Sequence, residues 1–110
     1  MIRNYIKTNI EIVSAVKWDV NGSTYPDIEH LTGKPMIVCN SEDIGLDLDT
    51  DNYNYLITYP DGTCELYVAT SYGLFRLPEG DYLMLVSKEG GQRVCTTCNK
   101  DTFEKLYRTI

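Results

Sequence analysis

The chain has 110 residues, of which 43% are hydrophobic and 24% are charged, and its formal net charge is −6. This length and composition predict one globular domain over residues 1–110 and argue against a disordered chain. The acidic balance argues against a general nucleic-acid binder and against attachment to an anionic membrane, because both need clustered cations.

The first half of the chain predicts one long strand, a short helix and a second strand. Apolar and polar residues alternate over residues 10–20, which indicates a strand with one buried face. A proline in the first turn and a glycine after the last turn predict a helix over residues 26–32. Residues 35–39 are wholly apolar and favour a strand, whereas residues 40–52 are polar and predict a long loop.

The second half predicts two hairpins with a short strand between them. Residues 53–59 and 64–70 are rich in β-favouring side chains, and a Pro-Asp-Gly-Thr turn joins them. A short strand follows over residues 74–77. Residues 82–87 and 92–96 then predict a second hairpin across a turn at 88–91, which contains two glycines.

A helix is predicted at the end of the sequence. Asp101 and Glu104 are spaced as a capping box, and an apolar stripe follows at helical spacing: Phe103, Leu106, Tyr107 and Ile110. The elements together predict an α+β fold. We expect a curved, mainly antiparallel β-sheet of about six to seven strands, with one short helix and a C-terminal helix packed on it.

Motifs for metal, redox or acid–base chemistry are incomplete. Cys95 and Cys98 form a C-x-x-C, but structural zinc needs more ligands than this pair offers, and a redox pair would open a helix. A stretch that begins at Asp47 resembles the start of a calcium loop but lacks its glycine and its glutamate. His30 is the only histidine and has no nucleophile or acid to complete a triad. We therefore predict no metal, no cofactor and no enzymatic activity.

Three segments of the chain resemble a family of small phage- and prophage-encoded proteins with a Pro-Gly-Asp-Tyr turn motif and no known role. The similar segments are residues 12–18, residues 80–85 and Cys98 followed by residues 101–107. The chain departs from the family at Glu79, which separates Pro78 from Gly80, and at residues 99–100. The resemblance implies a phage origin and brings no catalytic residue with it.

Small phage proteins without catalytic motifs often block host defence, so the resemblance suggests two functions. The first is a sponge that sequesters a nucleotide immune signal, with tyrosine rings against the base and cations on the phosphates. Its candidate ligand-binding residues are Tyr72, Arg76, Arg93 and Lys100, with the N–H groups that open the C-terminal helix.

The second function is an acidic inhibitor that binds a host defence nuclease by imitating nucleic acid. Its candidate residues are Glu42, Asp43, Asp47, Asp49 and Asp51. A minor structural or regulatory phage component is a further alternative. We expect the protein in the host-cell cytoplasm, with its four cysteines as thiols and with no membrane contact. Sequestration also suggests a homo-oligomer.

Overall fold

The computed structural model describes residues 2–7, 12–20, 25–43, 48–87 and 91–109. Within them the chain is α+β, with nine strands, two α-helices and a 3₁₀ turn at Ser41–Asp43. The elements are β1 (Arg3–Lys7), β2 (Ile12–Lys17), α1 (Tyr25–Thr32), β3 (Met36–Asn40), β4 (Asn54–Thr58), β5 (Cys64–Thr70), β6 (Gly73–Leu77), β7 (Tyr82–Ser87), β8 (Arg93–Cys98), α2 (Lys100–Leu106) and β9 (Tyr107–Thr109).

The strands form two sheets, so the prediction of one curved sheet of six to seven strands is wrong in this respect. The five-stranded sheet has the order β8-β7-β2-β1-β9, and the four-stranded sheet has the order β3-β4-β5-β6. All pairs between neighbouring strands are antiparallel except β3–β4. Alternation of apolar and polar residues predicts a strand but does not predict which strands pair with it. In addition, β1 and β9 are too polar or too short to be recognised from the sequence.

Two hydrophobic clusters explain the layering. The larger cluster lies between the two sheets and under α1, and it includes Val16 from β2, Ile28 from α1 and Leu66 from β5. The smaller cluster lies on the opposite face of the five-stranded sheet, where α2 packs through Phe103 against β2 and β7. The five-stranded sheet is therefore covered on both faces.

Polar clamps fix α1 to the four-stranded sheet. Asn54 is fully buried, and its amide donates to Thr32 Oγ1 at 2.8 Å and to the Lys34 carbonyl at 2.9 Å. Its carbonyl oxygen accepts a hydrogen bond from Ala69 N at 2.8 Å. Glu29 on α1 accepts from Met36 N at 2.8 Å. The helix predicted over residues 26–32 is confirmed, and Gly33 follows it with φ of 69°.

The predicted C-terminal helix is present and packs on the sheet through Phe103, but it ends at Leu106, which is 38% exposed, and Tyr107 of the predicted helical stripe lies in β9. The predicted capping box is wrong. Asn99 caps α2, because its side-chain oxygen accepts from Asp101 N and Thr102 N. Glu104 instead lies within 3.4 Å of the Tyr82 hydroxyl. Asparagine caps a helix as well as aspartate does. In the helix that begins after Asn99, Phe103 is buried.

Some sequence predictions fall on residues outside the described ranges. These are Ile10 at the start of the predicted long strand, residues 88–90 of the second hairpin turn, and Ile110 of the helical stripe. Of the helices in the described part of the chain, none is long and apolar enough to span a membrane.

Candidate functional site

The four-stranded sheet has one face on the core and one face turned away from it. We call the second one the outer face. Leu66 and Leu77 lie in the core cluster, so their neighbours Glu65, Tyr67 and Arg76 point to the outer face. Tyr67 of β5 is in register with Arg76 of β6 and, on its other side, with Tyr55 of β4. Two tyrosines and an arginine therefore form one row across three strands.

Glu65 holds the Arg76 guanidinium from one side. Arg76 Nε lies 2.7 Å from Glu65 Oε2, and the Tyr59 hydroxyl donates a hydrogen bond to Glu65 Oε1. Both carboxylate oxygens are thus used, and no contact of the terminal guanidinium nitrogens is found among the described residues. The Arg76 side chain is 55% exposed. We call Tyr59, Glu65, Tyr67 and Arg76 the Arg76 site.

The hydrogen bond to Glu65 also changes the chemistry of Tyr59. That bond is the largest of the effects that raise the pKa of Tyr59 to about 12, and burial adds to it. The hydroxyl therefore keeps its proton, and continues to donate to the carboxylate, to a higher pH than an ordinary tyrosine would. This fixes the position of Glu65, and through it the position of the Arg76 guanidinium.

An open depression of about 680 Å³ adjoins the Arg76 site at the β4–β5 turn. Arg76, Glu65 and Tyr59 line it together with Asp61 and Thr63. The Asp61 carboxylate accepts from Thr63 N at 2.9 Å and from Thr63 Oγ1 at 2.6 Å, and these hydrogen bonds lower the pKa of Asp61. The depression thus contains one cation and two carboxylates, so it does not attract ligands with high negative charge.

The structure separates the four predicted ligand-binding residues. Tyr72 lies in the β5–β6 turn, four residues or roughly 13 Å along β6 from Arg76. Arg93 and Lys100 belong to the other sheet, where Arg93 begins β8 and Lys100 follows its last strand residue by two. The length of β8, about 17 Å, separates them. Only Arg76 lies at the described depression.

The N–H groups that open α2 are already paired. Lys100 N donates to Asp81 Oδ1 at 3.0 Å, and Asp101 N and Thr102 N donate to Asn99 Oδ1. Phe103 N donates to the Asn99 carbonyl at 2.8 Å. These four donors are used within the chain, so the predicted phosphate contacts at this helix have no donors left to make them.

The predicted acidic face is divided between two ends of the sheet. Glu42 and Asp43 follow β3, whereas Asp49 and Asp51 precede β4. Because β3 and β4 are parallel, the end of one and the start of the other lie at opposite ends of the strands, about 16 Å apart. Asp47 lies outside the described residues.

Asp49 uses its carboxylate within its own loop. Its Oδ1 accepts from Asp51 N at 2.9 Å and from Asn52 N at 3.0 Å, and its Oδ2 accepts from Asn52 Nδ2 at 2.9 Å. These bonds, the one from the Asn52 side chain most of all, lower the pKa of Asp49. Asp49 N in turn donates to the Tyr55 hydroxyl, which ties the loop to the outer face. Asp49 therefore organises a turn.

The cysteines of the C-x-x-C lie on opposite faces of β8. Cys95 belongs to the cluster between the sheets, and Cys98 packs on the cluster under α2. Burial raises the pKa of Cys95 to about 11 and also raises the pKa of Cys98. The two thiols cannot bind one metal ion together. The described residues contain no cluster of three or more potential metal ligands.

The predicted ligand-binding residues did not include Tyr59 or Glu65. Their spacing did hold a signal, because the hairpin turn places residue 59 diagonally across from residue 65, on the same face of the sheet. The sequence cannot show that Glu65 takes Arg76 Nε and leaves the terminal nitrogens exposed, since that depends on the register of β5 and β6.

Comparison with family models, curated proteins and solved structures found no match for this chain. The resemblance to phage proteins therefore stays a prediction. The residues that carry it contact one another in the structure. Trp18 N donates to the Asp81 carbonyl, Tyr82 stacks on Phe103 at 3.9 Å between ring centroids, and Phe103 stacks on Tyr107 at 4.5 Å. Their contacts support the five-stranded sheet and α2.

Proposed function

We propose that this protein is a non-enzymatic binding protein that sequesters a small nucleotide-like anion at the Arg76 site. The observation that carries the proposal is the guanidinium of Arg76, which Glu65 holds through Nε and which belongs to a half-exposed side chain that lines the depression. A guanidinium held in this way is oriented for a two-point contact with a phosphate or carboxylate before the ligand arrives.

The charges around Arg76 narrow the class of ligand. Glu65 and Asp61 lie beside the guanidinium and offset its charge, so a terminal phosphate with two negative charges is disfavoured. A phosphodiester carries one charge and suits a single arginine. Tyr59 and Tyr67 supply aromatic surface on which a base can pack. Cyclic nucleotides, which combine a phosphodiester with a base, fit this description best.

The test is native mass spectrometry and calorimetry with cyclic mono- and dinucleotides and with ADP-ribose derivatives. We expect Arg76→Ala to weaken binding at least about tenfold, because a charge-assisted hydrogen bond is lost. Arg93→Ala is the matched control, since it removes an exposed arginine from the other sheet and leaves the Arg76 site intact.

Two results would contradict the proposal. One is that no member of the panel binds to the wild-type protein. The other is that Arg93→Ala abolishes binding whereas Arg76→Ala does not, which would place the ligand on the five-stranded sheet. Release of an unaltered ligand on heating supports sequestration, and a chemically altered ligand would overturn the non-enzymatic part of the proposal.

Binding of a host protein is the second candidate function. It is favoured by Glu42, an exposed acid that lines a smaller depression of about 160 Å³ beside Tyr59 and Pro60. Binding of a basic partner there should weaken as salt rises from low to physiological concentration. A pull-down that is unchanged when Glu42 and Asp43 are both replaced by the corresponding amides contradicts this placement.

A further inference from the structure

The two sheets leave four edge strands, and three of them are protected or short. On β8, Cys95 N donates to Ser71 Oγ at 2.8 Å, and the Cys95 carbonyl accepts from Ser71 N at 2.9 Å. On β3, Met36 N donates to the Glu29 carboxylate. β9 has only three residues. Edge strands are commonly blocked in these ways, since unpaired backbone groups recruit other strands.

The fourth edge, β6, has no such protection in the described part of the chain. A two-residue turn joins β5 to β6, so Thr70 and Gly73 form the hydrogen-bonded pair that closes the hairpin. Hydrogen-bonded pairs then alternate along the ladder, which leaves the N–H and C=O groups of Leu74 and Arg76 directed away from β5. No partner for these four groups is found among the described residues.

The β6 edge has exposed aromatic side chains and no acidic residue. Phe75 is 47% exposed and Tyr72 is 64% exposed. Residues 72–78 contain no acid, although the chain has 16 acidic residues against 10 basic ones. Arg76 is the only charged residue among residues 72–78, and its Nε is paired with Glu65 of β5, so this edge carries no acid that would repel a second copy of an acidic chain.

We propose that the β6 edge pairs with β6 of a second copy of this chain, antiparallel, with Phe75 opposite Phe75 of the partner subunit. In this register Leu74 pairs with Arg76 of the partner subunit, and the reverse pair forms as well. All the outward backbone groups of both residues are then used. The two phenylalanines occupy a non-hydrogen-bonded position, where side chains on neighbouring strands approach most closely.

Neighbouring registers are less favourable. A pairing centred on Arg76 sets two arginines against each other and brings Leu74 opposite Pro78, which has no N–H to donate. A pairing centred on Leu74 brings Arg76 opposite Tyr72, whose N–H already donates to Thr70 Oγ1. Hydrogen bonding and charge together therefore favour the Phe75 register. Because this edge has no acidic residue, two negatively charged protomers can approach each other there.

The dimer would complete the ligand site, a consequence that rests on the proposed function. Arg76 and Arg76 of the partner subunit become diagonal neighbours on one continuous outer face, roughly 7–8 Å apart. This spacing is that of the two backbone positions; Glu65 holds each guanidinium over β5, so the two guanidinium groups lie farther apart and suit a ligand with two separate, singly charged phosphodiesters. We therefore infer that cyclic dinucleotides are bound in preference to cyclic mononucleotides, one per dimer.

The oligomeric state is tested by light scattering after gel filtration. We expect a dimer for the wild type and a monomer for Phe75→Lys, because a charge at the centre of the pairing opposes its copy. Val38→Lys is the matched control, since Val38 is an exposed apolar residue, 63% exposed, on the other edge of the same sheet. This variant should remain a dimer, and circular dichroism should show both variants folded.

The register is tested by Phe75→Cys under mild oxidation. Residues opposite each other at a non-hydrogen-bonded position have Cα atoms about 4.5 Å apart, within the range of a disulfide. We expect a covalent dimer for Phe75→Cys and none for Val38→Cys. A monomeric wild type overturns the dimer, and a dimer that survives Phe75→Lys or cross-links only through Val38→Cys overturns its placement.

Failure of the dimer and failure of the proposed function give different results. If the wild type is a monomer that retains a nucleotide through Arg76, only the dimer is wrong. If the wild type is a dimer through Phe75 that binds no nucleotide, only the proposed function is wrong. Equal affinity for mono- and dinucleotides in a confirmed dimer contradicts the paired use of Arg76.

Discussion

The two sheets of this protein are stabilised in different ways. The five-stranded sheet packs against the core on one face and against α2 on the other, and Ser71 covers the backbone of β8 at Cys95. The four-stranded sheet has one core face, depends on the polar clamp at Asn54, and leaves the β6 edge unprotected. The first sheet is thus closed by packing, whereas the second keeps a free edge and an outer face.

This difference suggests that the five-stranded sheet stabilises the fold and that the four-stranded sheet provides the binding surface. Trp18, Asp81 and Phe103, which belong to the segments that resemble phage proteins, all support the five-stranded sheet. The site that we propose for ligand binding lies on the four-stranded sheet instead. A protein of this size uses most of its residues to build one core. A ligand or partner can therefore bind only where a sheet face or a sheet edge is not covered by that packing.

Loss of the Asn54 clamp should have the largest effect on stability. Asn54→Ala leaves the buried Ala69 N–H without its acceptor and removes the amide donor from the Lys34 carbonyl and Thr32 Oγ1, and we expect a loss of about 3 kcal/mol in the free energy of unfolding. Asn52→Ala is the control, because its amide is exposed and serves only the Asp49 turn. It should cost less than about 1 kcal/mol in the same urea titration. Equal losses would show that Asn54 is not a clamp.

Opening the protected β8 edge should have a smaller effect. Ser71→Ala removes the acceptor of Cys95 N but keeps the backbone bond from Ser71 N to the Cys95 carbonyl. We expect a loss of about 1 kcal/mol and faster amide hydrogen exchange at Cys95. Ser87→Ala, at the exposed end of β7, should change neither quantity. Unchanged exchange at Cys95 would mean that Ser71 does not protect this edge.

The sequence predicts the local elements of this fold better than it predicts the pairing of strands that are far apart in the chain. The hairpin of residues 53–70 and the helix of residues 26–32 were predicted closely, because turn residues and caps act over a few positions. The division into two sheets was not predicted, since it depends on β1 pairing with β2 and β9. The parallel β3–β4 pair, which divides the acidic loop, had no local signal either.

The candidate site shows the same limit. Arg76 was predicted as a ligand residue from its chemistry, but its neighbours were not, because Glu65 meets Arg76 only through the register of two strands. Arg93 and Lys100 carry the same type of charge, and each is adjacent in sequence to a polar residue. They differ from Arg76 in their position in the fold, and the residue types alone do not predict that position.

The smallest expected effect distinguishes two tyrosines, one from each sheet. The pKa of Tyr59 and that of Tyr82 are both raised to about 12, but from different first causes: the hydrogen bond to Glu65 for Tyr59 and burial for Tyr82. Glu65→Gln should therefore lower the pKa of Tyr59 toward its ordinary value of 10.0 and leave Tyr82 unchanged. Glu104→Gln should lower the pKa of Tyr82 only slightly, because burial remains.

The sign of the pH dependence follows from the raised values. A tyrosine with a raised pKa in the folded state contributes stability that is fully present below pH 10 and is lost as the pH rises through about 12. In Glu65→Gln the folded-state pKa of Tyr59 falls toward its unfolded value, so this contribution and its loss at high pH should be largely absent. Tyrosine ring signals followed by NMR across that range report each residue separately. If Tyr59 titrates at the same pH in both proteins, Glu65 does not hold its hydroxyl, and Tyr59 does not fix the position of Glu65.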